Sequence, residues 1–100
     1  MIFNFTAFND GGGGATLYSI NNEFSTYVSV DKQSAEEGET VTATLVTNPP
    51  SQYSGGVGAY SSGSIFASLF TVNAGKGSSS AGDTATFTMP GNDVTIRFLG

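Results

Sequence analysis

Cysteine and histidine are both absent from this chain, and basic residues are scarce, three Lys and Arg standing against eight Asp and Glu for a formal net charge of −5. Without cysteine there is no disulfide framework, no thiolate nucleophile and no thiolate metal site. Without histidine the general base of most catalytic triads and the commonest zinc ligand are missing as well. The acidic balance repels phosphate backbones rather than releasing counterions from them, which argues against a nucleic-acid partner. Long apolar runs are also lacking. Ile65-Phe66-Ala67 and Leu69-Phe70 fall far short of the roughly 18 residues of a membrane span, so a soluble protein with no membrane partner is expected. No basic residue precedes Lys32, and the start Met1-Ile2-Phe3-Asn4-Phe5-Thr6 is interrupted by polar residues, so no secretory signal is expected.

What is present is β-forming sequence punctuated by turn residues. A chain of 100 residues makes one domain and buries somewhat more than about 60% of its unfolded surface, enough to fold without staples. Residues 2–8 read as a strand carrying Phe3, Phe5 and Phe8, followed by a hinge at Gly11 to Gly14. A second strand is expected over 15–20, ending at Asn21-Asn22, and a third over about 24–30. Asp31 to Glu39 reads as an acidic turn. The clearest amphipathic strand is 40–47, with Val41, Ala43 and Leu45 inward and threonines outward, stopped by Asn48-Pro49-Pro50. Residues 51–64, rich in Ser, Gly and Tyr, predict a mobile loop or a loose edge hairpin. A strand at about 65–72 leads through a Gly/Ser-rich connection to residues 86–100. These read as a β-hairpin: Phe87 and Met89, then Val94, Ile96 and Phe98, mark one face, with Pro90-Gly91 as a type II turn needing positive φ at Gly91.

Several apparent motifs fail on spacing. Ala74-Gly75-Lys76-Gly77-Ser78 has Gly where a phosphate loop needs Ser or Thr, and Phe70 where it needs Gly. The glycines at 11–14 lack the third glycine and the helix of a dinucleotide fingerprint. Asn4-Phe5-Thr6 is a glycosylation acceptor in form alone. Asp31, Glu36, Glu37 and Glu39 crowd together, but their spacing matches no calcium loop, so a solvated acidic turn is expected, with no metal and no cofactor. A glycosidase pair would need a cleft that so small a β module rarely has. The chain is therefore read as no enzyme.

The stretch Ser34-Ala35-Glu36-Glu37-Gly38-Glu39-Thr40-Val41-Thr42-Ala43, followed by Phe87-Thr88-Met89-Pro90 and Asp93-Val94-Thr95-Ile96, resembles the divergent internalin B-repeat-like modules of bacterial surface proteins. The resemblance covers about residues 26–98, and the Tyr/Gly/Ser stretch in the middle departs from the family pattern. It implies an all-β fold, a small antiparallel β-sandwich or β-grasp-like module used as a spacer or adhesive unit, and no catalytic residue. On this basis residues 1–25 form an N-terminal strand arm with its Gly hinge, and 26–100 the β module.

Two functional expectations follow. The first is a structural, homo-oligomeric assembly protein, a bacteriophage virion component of the capsid-decoration or head-fibre type, assembled in the host cytoplasm through contacts with itself and with a capsid. Phe3, Phe5 and Phe8 are the candidate contacts: they either pair within their own domain as an ordinary strand or form an arm that adds to a neighbour's sheet. The alternative is an adhesion or carbohydrate-binding module at a bacterial cell surface. There Tyr53 and Tyr60, set among Gly and Ser, would form the recognition platform for a protein or a glycan.

Overall fold

The computed structural model describes residues 15–99. Among them there is no helix, and eight strands make up the fold: β1 Leu17–Asn22, β2 Val28–Val30, β3 Ser34–Glu36, β4 Thr40–Leu45, β5 Gly55–Ser61, β6 Ser64–Val72, β7 Thr84–Thr88 and β8 Val94–Phe98. They form a five-stranded sheet in the order β3-β1-β8-β5-β6 and a three-stranded sheet in the order β2-β4-β7. All pairings are antiparallel except β1 with β8, where Ile20 lies beside Val94 in a parallel register. Of the two architectures anticipated, the β-sandwich is the one formed.

The physical driver is alternation. In β4, Val41, Ala43 and Leu45 are fully buried while Thr40, Thr42 and Thr44 take the outer face, and in β8 Val94 and Ile96 point inward. Phe87, Met89, Val28 and Phe24 join the core from the side of the three-stranded sheet, and Ile20, Val57, Ala59, Phe70 and Val72 from the five-stranded one. No polar or charged side chain is buried among the described residues. The outer face of the small sheet is a double rank of threonines, Thr40 opposite Thr88, Thr42 opposite Thr86 and Thr44 opposite Thr84, the kind of cross-strand pairing that supports a solvated sheet.

Several sequence expectations need correction. The strands of the expected terminal hairpin do not pair with each other. β7 pairs with β4, whereas β8 pairs with β1 and β5, so Pro90 to Asp93 form an arch between the two sheets. Inward alternation is identical in a hairpin and in an arch, which is why the pattern alone misled. Gly91 does not take positive φ. Its missing side chain serves a close approach instead, since a Cβ there would meet the Glu37 carboxylate at 3.1 Å.

Residues 51–64 are not a loop or a loose edge. β5 is an interior strand, paired to β8 on one side and β6 on the other. Ser62 and Gly63, both at positive φ, close the two-residue turn into β6. The expected strand over 24–30 is shorter, because Tyr27 and Val28 both donate backbone hydrogen bonds to the Phe24 carbonyl and residues 24–27 make a turn that drops Phe24 into the core. The acidic segment 31–39 contains β3, paired to β1. Lastly, Leu17–Asn22, assigned in sequence to the arm region, lies between β3 and β8 inside the sheet.

Gly58 explains much of why β5 could become central. A Cβ there would sit 2.7 Å from Ile65 Cδ1, 3.0 Å from the Ala67 carbonyl oxygen and 3.2 Å from Leu99 Cδ1, whereas one at Gly56 would meet nothing closer than 3.6 Å. Two bulges in β6, at Leu69 and Phe66, adjust its register against β5 and let Leu69 and Phe70 both turn inward. Replacing Gly58 by Ala is therefore expected to cost about 1–3 kcal/mol in urea denaturation, the range for overpacking. Gly56→Ala is expected to leave stability within about 0.5 kcal/mol, and equal effects at the two sites would refute the close-approach account.

Candidate interaction surface

Phe3, Phe5 and Phe8 lie outside the described residues. Tyr53 and Tyr60 are described, and the fold separates them. Tyr53 is half-buried and packs edge-on against Phe24 and Phe98, both with centroids at 5.3 Å, and tilted against Tyr27 at 5.6 Å. Phe24 in turn stacks on Phe98 at 5.7 Å. The four rings form one cluster, with Phe24 in the core and Tyr27, Tyr53 and Phe98 partly buried against it. Asn73 fastens the segment that carries Tyr53, its amide donating to the carbonyls of Pro49, Pro50 and Tyr53 at 2.9, 2.9 and 3.0 Å.

Tyr60 points the other way, from the outer face of the five-stranded sheet. The Arg97 guanidinium lies 5.2 Å from its ring centroid, a cation–π contact. Tyr60, Arg97, Thr95, Asp93, Glu23 and the Ser62-Gly63 turn line a shallow pocket of about 230 Å³. One oxygen of Asp93 is already engaged, accepting the Ser19 N–H at 2.8 Å and so holding β1 against the arch. Arg97 makes no ion pair among the described residues. The pocket therefore combines an aromatic ring, a cation, two carboxylates and the hydroxyls of Tyr60, Ser62 and Thr95.

The acidic segment is structural. Asp31 Oδ1 accepts the Thr42 N–H at 2.9 Å while its own N–H donates to the Thr42 carbonyl, so the carboxylate extends the ladder between β2 and β4 by one step. Lys32 lies 3.2 Å from the other oxygen and reaches the Thr40 carbonyl at 2.8 Å. The Thr42 N–H, with Lys32 beside it, holds the Asp31 carboxyl below its ordinary value. Glu39 does the same for β3, accepting the Glu36 N–H at 2.7 Å.

Three of the four sheet edges have one residue whose outward backbone groups are taken up locally. At β2 the Val28 carbonyl accepts from Asn22 Nδ2 at 2.7 Å and the Val28 N–H donates to Phe24. At β3 the Glu36 N–H goes to the Glu39 carboxylate and the Glu36 carbonyl accepts the Glu39 N–H. At β6 Ser79 accepts the Thr71 N–H through its hydroxyl and donates its own N–H to the Thr71 carbonyl. β7 has no such cover among the described residues. Met89 donates to Glu39 and the Asp83 carbonyl accepts from Leu45, so the odd-numbered residues of this stretch face β4. The N–H and C=O groups of Thr84, Thr86 and Thr88 point away from the sheet.

Sequence reasoning singled out Tyr60 but not Arg97, and it missed the β7 edge and the roles of Phe24, Tyr27 and Phe98. The Ser62-Gly63 pair was the available signal for the β5–β6 hairpin. No sequence signal distinguishes β7 from any other short Thr-rich strand. The chain matches no family model, and no curated protein and no solved structure matches it.

A carboxylate whose folded pKa is depressed contributes stability that is present above its unfolded value, about 3.9 for Asp, and is lost as pH falls through the folded value. The stability difference between the native chain and Asp31→Asn is accordingly expected to be largest near neutral pH and to shrink as pH is lowered through the acid range. Urea unfolding at stepped pH measures it, and a difference that grows on acidification would contradict the assignment.

Proposed function

We propose that this chain is a non-enzymatic structural protein that works through protein–protein contact, concretely a bacteriophage virion component of the capsid-decoration or head-fibre type. The observation that carries the reading is the β7 edge, a row of backbone donors and acceptors that takes no local cover among the described residues, whereas β2, β3 and β6 each have one residue capped. A cysteine-free module held by an apolar core needs no oxidising compartment, in keeping with particle assembly in a host cytoplasm. The acidic side chains, which in an enzyme would be the first candidates for acid–base work, are here occupied with backbone N–H groups at Asp31, Glu39 and Asp93. The internalin B-repeat-like resemblance agrees with a module whose use is contact rather than chemistry. Light scattering of the intact chain is expected to give a mass at least twice 10.2 kDa. A monomer at all concentrations up to the millimolar range would overturn the proposal.

The pocket at Tyr60 favours a second reading, a carbohydrate-binding or adhesion module of a bacterial cell surface. A ring with planar charged groups and a hydroxyl around it suits a sugar, whose hydroxyls both donate and accept. On this reading a glycan array probed with the intact chain gives signal that Tyr60→Ala abolishes, while Tyr53→Ala acts only through stability. Glycan binding unchanged in Tyr60→Ala would rule this site out.

A further inference from the structure

We infer that the β7 edge is the contact between two copies of this chain, which pair their β7 strands antiparallel across a two-fold axis at Thr86. The inference rests on the assembly reading above and names its partner. Three observations carry it beyond an open edge.

The first is self-complementarity. The strand Thr84-Ala85-Thr86-Phe87-Thr88 reads almost the same in both directions, and its outward-facing backbone groups belong to residues 84, 86 and 88. An antiparallel copy centred on Thr86 sets Thr84 against Thr88 of the second copy and Thr86 against itself, so both groups of each of these threonines find a partner. Centring the axis on Ala85 or Phe87 leaves one threonine without one. The two three-stranded sheets then become one continuous sheet, and the threonine ranks of the outer face run on across the junction.

The second observation is charge. A chain of net charge −5 disfavours its own association wherever acids meet, yet β7 carries none. The nearest acid, Asp83, turns its carboxylate back to accept the Ser80 N–H at 2.9 Å. β2 and β3 are three residues long and sit beside Asp31, Lys32, Glu36 and Glu37, and β6 is bulged twice, the devices that keep sheet edges from pairing. β7 uses none of them.

The third is apolar surface at the same place. Phe66, brought by the second bulge of β6 against Phe87 with centroids 5.6 Å apart, remains 41% exposed at the side of the sandwich where β7 ends the small sheet. A strand joined to β7 would extend the sheet over this ring, adding burial to backbone pairing.

The absence of cysteine makes the test clean. Residues paired through hydrogen bonds in an antiparallel ladder have Cα atoms about 5.5 Å apart, within the range a disulfide spans. Under mild oxidation Thr86→Cys is expected to give a covalent dimer. Thr84→Cys and Thr88→Cys are each expected to stay uncrosslinked alone and to crosslink when mixed. Thr86→Pro removes only an outward N–H, a placement edge strands tolerate, and should weaken the dimer at least tenfold with the circular dichroism of the native chain retained. Should that variant fail to fold, the cysteine pattern decides alone.

An oligomer that persists while the Thr86→Cys variant fails to crosslink overturns this inference and leaves the assembly reading standing. Dissociation by Phe3→Ser, Phe5→Ser and Phe8→Ser together, with no crosslink in the Thr86→Cys variant, overturns it in favour of an arm on the edge. A monomeric intact chain overturns both readings.

Discussion

The burial of Phe87 and Met89 against Val94 and Ile96 across the four residues from Pro90 to Asp93 is the constraint on which the rest of the fold depends. Each pair belongs to a different sheet, so the arch sets how the two layers face each other. Every other strand must take a register that continues one of the two inward rows. β4 does so with Val41, Ala43 and Leu45 beside β7, and β5 with Val57 and Ala59 beside β8. The arch is held at both margins by acidic side chains, Asp93 on the Ser19 N–H and Glu37 packed where Gly91 has no side chain. Removing a fully buried residue of these rows, such as Ile96 or Met89, would leave a cavity of the kind that costs about 2–5 kcal/mol.

A sandwich of one large and one small sheet has four edges, and their treatment links the fold to its proposed use. Three are capped at one residue each by local means: Val28 of β2 by the Asn22 amide, Glu36 of β3 by the Glu39 carboxylate and Thr71 of β6 by the Ser79 hydroxyl. Each closing group lies on or beside a neighbouring turn or connection, so the connections double as edge covers. The long Gly/Ser-rich segment between β6 and β7 reaches back to Thr71 and to Leu45 but not to the outer side of β7. β7 is thus the edge with no such cap among the described residues, and it adjoins the exposed Phe66 ring, so polarity and apolar surface, the two ingredients of strand-mediated association, meet there.

The candidate ligand pocket has a different origin. It forms where the β5–β6 turn, the arch and the start of the Glu23 turn meet on the outer face of the large sheet. Tyr60 and Arg97 are diagonal neighbours there, because Tyr60 pairs with Thr95. Tyr53, which composition alone would group with Tyr60, is drawn to the inner side by Phe24 and Phe98. The aromatic content of the 51–64 stretch thus divides between packing and exposure.

Much of the fold was legible in the residues themselves. The all-β class, the inward rows of β4, β7 and β8, and the stop at Pro49-Pro50 follow from period-two alternation and from proline's missing donor, both local properties of the chain. Pairing was not legible, because the same alternation suits a hairpin within one sheet and an arch between two, and only the competition among all strands for the core decided it. For the same reason β5 reads from sequence as a loop or a loose edge hairpin: its glycines have little strand propensity, and the need for them appears only when Ile65, Ala67 and Leu99 close over Gly58. The order of residues along the chain dictated which side chains could be buried. Which strands became neighbours, and so which edge was left open, was settled by packing in three dimensions, because an edge is defined by the strand that is not beside it.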